Sequence, residues 1–96
     1  MNTLHQDTQR FEAWLADFDT RIQDLRHQVA AAQGYRQKGL QEELDKLLAR
    51  RRKADEHMAQ LRLADAESWS RNDFRTSIFA VFDDIGERLN RLMARV

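Results

Sequence analysis

The chain contains no cysteine and no proline, and only three glycines among its 96 residues. The missing cysteines exclude disulfides, thiolate metal sites, cysteine nucleophiles and thiol redox chemistry together, and a reducing compartment is compatible with that lack. The missing prolines and scarce glycines leave nothing to interrupt long helices, whereas sheets and turn-rich folds use both residues freely. Neither charge sign dominates, because 16 Lys and Arg balance 16 Asp and Glu. No global field therefore favours nucleic acid or an acidic membrane, and any such role needs a local patch. Long apolar runs are also missing. The segment from Ile78 to Phe82 is far shorter than the ~20 apolar residues of a membrane span, and Met1 to Arg10 holds no signal-peptide core. The expectation is a cytoplasmic protein without a transmembrane segment. A chain this long accommodates one domain with a modest core, burying about 60 to 70% of its unfolded surface.

What is present is helical periodicity. From Phe11 the apolar residues fall at Leu15, Phe18, Ile22, Leu25 and Val29, in steps of four and three that form a heptad stripe. Thr3 and Gln6 have the form of a capping box upstream. Gly34 suits a helix end because it tolerates the left-handed conformation, and Gly39 loosens the stretch that follows, so the first turn is expected within Gln33 to Lys38. The second helix carries Leu40, Leu44, Leu47, Ala54, Met58 and Leu61 at the same spacing, with Arg51 where an apolar residue is due. A guanidinium there must snorkel outwards or meet a carboxylate such as Asp19, Asp83 or Asp84, which would set the register. Pairs such as Glu42 with Lys46 sit at the favourable four-residue offset of a solvated face.

The third helix has a wider apolar arc of Phe74, Ile78, Val81, Phe82, Ile85, Leu89, Leu92 and Val96, and closes with Arg88, Arg91 and Arg95, as its dipole favours. Between helices two and three, Asp65, Ser68 and Ser70 are all candidate N-caps. Trp69 is in phase with the second helix and out of phase with the third, so it either extends the former or anchors the turn. The expected fold is an all-α, up-down-up antiparallel three-helix bundle of coiled-coil type, with helices at about 4–33, 37–66 and 70–95. A longer helical hairpin that dimerises is the alternative. Antiparallel pairing gathers Phe11, Trp14, Phe18, Met58, Trp69, Phe74, Phe79 and Phe82 at one end and leaves the other end aliphatic.

Three stretches carry a resemblance: Glu12-Ala13-Trp14 with Ile22 and Leu25, the block LQEELDKLLARRRKADEHMAQLRL from Leu40 to Leu63, and Ala66 to Trp69. Their order resembles that of short bacterial coiled-coil proteins commonly labelled stress-response proteins, whose activity is generally not known. The resemblance implies a helical, cytosolic, stress-related protein. The aromatic run from Ser77 to Phe82 departs from the blander helix of that family. Trp14 in the first of three helices is also similar to the spectrin repeat, as a likeness of architecture.

Chemistry-bearing constellations are few. His5, His27 and His57 are not spaced as metal ligands on one helix, and antiparallel alignment puts them at different heights; no Glu-x-x-His pair of the ferritin-like kind occurs. Ser68, Ser70 and Ser77 read as caps or surface groups, and three slender helices enclose little volume for catalysis. No enzyme, cofactor or small-molecule substrate is expected. The block Arg50-Arg51-Arg52-Lys53 spreads around a helix, so Arg50, Arg52 and Lys53 form a basic patch without the interleaved base-contacting groups of a nucleic-acid site. Phe79, Val81 and Gly86 are the candidate partner-binding residues. The third helix's apolar arc exceeds what two neighbours bury, which either leaves Phe79 or Val81 exposed as an association surface or reflects a thick aromatic end that needs a wide face, and Gly86 either permits close approach of another backbone or is simply tolerated. The expected function is a non-enzymatic interaction or scaffold protein acting by self-association or partner docking on the third helix. Nucleic-acid association through the basic patch is the alternative, with lipid-surface association through an opened third helix a further one.

Overall fold

A computed structural model of the protein describes residues 3–69 and 73–96. Its helices are α1 (Thr3–Ala31), α2 (Gly34–Leu61), the single turn α3 (Ala66–Trp69) and α4 (Asp73–Arg95). The three long helices pack against one another into a rod of 52 × 19 × 19 Å, and no strand occurs among the described residues. Contacts that climb together, Phe11 with Phe79 and Arg21 with Asn90, make α1 and α4 parallel. Arg51 bonds back to Asp19 and Arg36 to the carbonyl of Arg95, so α2 runs opposite to both. This is the all-α up-down-up bundle.

The core follows the heptads. Phe11, Leu15, Phe18, Ile22, Leu25 and Val29 of α1 face Leu40, Leu44, Leu47, Ala54, Met58 and Leu61 of α2, and Ile78, Phe82, Ile85, Leu89 and Leu92 of α4. Burying each large side chain contributes about 1.5–3 kcal/mol, so the shared seam dominates stability. Phe74, Val81 and Val96, expected in the same arc, are half-buried at its margins.

Helix boundaries depart from expectation where backbone geometry is economical. The first turn needs only Ala32 and Gln33. Gln33 is extended (φ −126°, ψ 155°) and Gly34 takes φ +64°, so two residues of contrasting conformation reverse the chain. Gly39 consequently lies inside α2 rather than in a loop. Helix α1 already includes Thr3, which puts its cap position outside the described residues. At the other end α2 stops at Leu61, five residues early, because Leu63 and Ala64 turn back through bonds from their N–H groups to the carbonyls of Gln60 and Leu61.

Trp69 neither extends α2 nor opens α4. It closes α3, whose cap is Asp65: the carboxylate accepts from the Glu67 N–H (3.0 Å) and its carbonyl from the Trp69 N–H (3.1 Å). Helix α4 begins at Asp73, and the expected start near Ser70, with its candidate cap, lies outside the described residues.

Candidate docking site

Two seam positions hold charges, and both are paired across the bundle. Arg51 forks onto Asp19 of α1 (Nε to Oδ1 2.7 Å, Nη2 to Oδ2 2.9 Å) and also reaches Asp55 one turn along α2. The hydrogen bond to Asp19 raises the guanidinium above its ordinary range in spite of desolvation, which keeps it charged. Of the partners expected for Arg51, Asp19 is the one used; Asp84 instead pairs with Arg50 (3.2 Å) and accepts from Arg88 Nε (3.0 Å).

Asp7 is the second seam charge, and the sequence reading passed over it. It lies three residues after Leu4 and four before Phe11, in phase with the apolar stripe, and is 3% exposed. Its Oδ2 accepts from Trp69 Nε1 and from Arg75 Nε, both at 2.8 Å. One carboxylate on α1 therefore clasps α3 and the start of α4. The signal for it was present: a charge in the stripe, as at Arg51. What the sequence lacked was the partner, because Trp69 and Arg75 are more than sixty residues away.

Around this clasp the aromatic residues assemble as antiparallel pairing requires. Phe11 stacks on Phe82 at 4.8 Å and meets Phe79 edge-on at 4.9 Å, with Trp14 against Phe79 and Phe82. Trp69 meets Phe74, which meets His57. In this arrangement the wide apolar arc of α4 is largely taken up by the aromatic end. Phe79 is half-buried against Phe11 and Trp14 and carries the Arg75 guanidinium 4.9 Å above its ring. Val81 is half-buried too, and two residues at 100° each turn it about 160° away from Phe79. The large apolar side chains that are exposed lie elsewhere: Tyr35 (97%), Leu63 (89%) and, marginally, Met93.

Gly86 falls in a different setting. Because it has no side chain, α4 leaves an open groove against α1 with a cavity volume of about 460 Å³. Trp14, Phe18, Phe82 and Gly86 line it with apolar surface, and Asp17, Asp83 and Glu87 supply carboxylates. Asp17 reaches Arg21 at 3.5 Å, whereas Asp83 and Glu87 make no ion pair among the described residues. An apolar floor with uncompensated carboxylates suits a cationic amphipathic ligand. The structure thus joins Phe79 and Gly86 through Trp14, which touches the first and lines the groove with the second, and leaves Val81 apart.

The basic patch is partly compensated. Arg50 pairs with Asp84, Lys53 lies 3.9 Å from Glu56, and Arg52 makes no ion pair among the described residues. Ser77 donates to the carbonyl of Asp73 one turn back, a surface-helix arrangement. No group of three His, Asp or Glu that could hold a metal ion occurs among the described residues, and no described helix is long and apolar enough to cross a membrane.

Comparison with known proteins adds no relative. No family model matches the chain, and no curated protein or solved structure is significantly similar to it. The functional reading rests on the groove itself.

Proposed function

We propose that this chain is a non-enzymatic, cytoplasmic interaction module that docks a basic amphipathic segment of a protein partner in the α1/α4 groove. The observation that carries the reading is the groove's composition: an apolar floor of Trp14, Phe18, Phe82 and Gly86 beside Asp83 and Glu87, which have no ion-pair partner among the described residues. A ligand with apolar and cationic residues on one helical face buries the first against the floor and places the second against the carboxylates. A stress-related setting is what the resemblance to short bacterial coiled-coil proteins implies.

Trp14 supplies the assay. Its half-buried indole lines the groove, while Trp69 is fully buried elsewhere and gives a constant background. Titration with a Leu/Lys amphipathic peptide is expected to shift the emission saturably. Asp83→Lys with Glu87→Lys should abolish the shift, as should Gly86→Leu, which fills the groove. An unchanged emission with the wild-type protein refutes the reading.

The alternative, a nucleic-acid-associated protein using Arg50, Arg52 and Lys53, has less behind it, because carboxylates already face two of the three. Affinity for an oligonucleotide that falls steeply with salt and is lost on replacing these residues would favour it.

A further inference from the structure

The acidic groove has a counterpart on the same helix. On the other side of α4, against α2, Arg88, Arg91, Leu92 and Arg95 line a smaller hollow of about 280 Å³ with Glu43 as its one carboxylate. Glu43 also faces Lys46 at 3.4 Å, and the Asp84 carboxylate that meets Arg88 is shared with Arg50. Guanidinium groups therefore outnumber carboxylates here, and Arg91 and Arg95 make no ion pair among the described residues. Arg36 extends the cationic end by donating to the Arg95 carbonyl at 2.6 Å.

The unpaired charges of α4 consequently lie on two flanks of opposite sign. At 100° per residue, Asp83 and Glu87 centre about 100° round the helix from Arg88, Arg91 and Arg95, on either side of its solvent-facing line. Both sets belong to a chain whose formal charge sums to zero. Asp84 and Glu43 sit among the arginines, but Asp83 and Glu87 on one flank and Arg91 and Arg95 on the other have no ion-pair partner among the described residues.

Resting on the docking reading above, we infer that the occupant of the α1/α4 groove is a second copy of this chain, presenting the arginine flank of its own α4. Arg91 and Arg95 of one copy meet Asp83 and Glu87 of the other, and the aliphatic stems of the two exposed arginines lie over the apolar floor. Opposed charges across such an interface fix its register and speed encounter, while the apolar contact supplies the burial.

Complementary charge reversal tests this directly, because all four charged residues are exposed and contribute nothing to the core. One variant carries Asp83→Lys and Glu87→Lys, the other Arg91→Glu and Arg95→Glu. Sedimentation equilibrium at low salt should show the wild type associating with concentration. Each variant alone should lose at least about tenfold in association, the scale on which close interfacial charge pairs act, and circular dichroism should report unchanged helicity. An equimolar mixture should associate again, since the lysine flank of one variant then faces the glutamate flank of the other. A wild type that stays monomeric at all concentrations, or a mixture that fails to associate, overturns the inference. A monomer whose Trp14 emission still responds to the Leu/Lys peptide sinks the self-association and leaves the docking reading standing; a monomer with no response sinks both.

Discussion

Removing the Asp7 carboxylate tests how the one-turn helix α3 is held. Asp7→Ala deletes the acceptor for Trp69 Nε1, and because Trp69 is 0% exposed its N–H has no water to turn to. A buried donor left unsatisfied costs about 1–3 kcal/mol. Arg75, whose side chain is 36% exposed, can re-hydrate, so its share of the loss is small. The expected destabilisation is about 2 kcal/mol, which in a domain of this size lowers the melting temperature by about 8–16 °C. Urea unfolding followed by circular dichroism measures it, and a double-mutant cycle with Trp69→Phe isolates the bond. Phenylalanine has no N–H to orphan, so Asp7→Ala should cost less in that background, with a coupling near 1 kcal/mol. Asp7→Asn retains an acceptor oxygen and should fall between wild type and Asp7→Ala. Additivity of Asp7→Ala and Trp69→Phe within about 0.3–0.5 kcal/mol would refute the reasoning, since independent sites behave that way.

Arg51→Leu should leave stability unchanged or raise it by about 1 kcal/mol in urea unfolding, because Asp19 is more than half exposed and re-hydrates while leucine completes the seam. Gly86→Ala should stabilise by about 0.5–1 kcal/mol through helix propensity; a Cβ there meets the Phe18 ring at an ordinary 3.9 Å, and thermal melts give the sign. Gly34→Ala should destabilise by about 1–2 kcal/mol, since φ is +64° and the left-handed region disfavours a side chain. Phe79→Ser should lower the melting temperature as well as any association, because the ring packs on Phe11 and Trp14.

The candidate site was legible in parts. Gly86 stood out as a gap in a helix, and the groove beside it has the residues that gap requires. Its carboxylates were not legible, because Asp83 and Glu87 look like any solvated pair until α1 brings Trp14 and Phe18 alongside. Helical phase leaves open whether Phe79 and Val81 are surplus apolar surface or part of a wide aromatic face; Trp14, half-buried against Phe79 on the α1 side, uses Phe79 as packing. The sequence leaves that choice open because helical phase locates a face without giving the width that a large neighbour covers.

By itself the sequence determined the class of fold, its three long helices and nearly all of the core. A period of alternating four and three residues demands that each helix bury one stripe against others, and no proline breaks the helices that carry it. It also marked Arg51 as a charge in need of a partner. Only the tertiary structure decided which carboxylate answered, that Asp7 is a buried hub, and that Trp69 belongs to a helix of its own. Those outcomes depend on pairings dozens of residues apart, and a local pattern carries the need for a contact but not its address. Which helix each charged flank of α4 adjoins is of the same kind, since the groove against α1 and the hollow against α2 exist only once those helices have taken their sides.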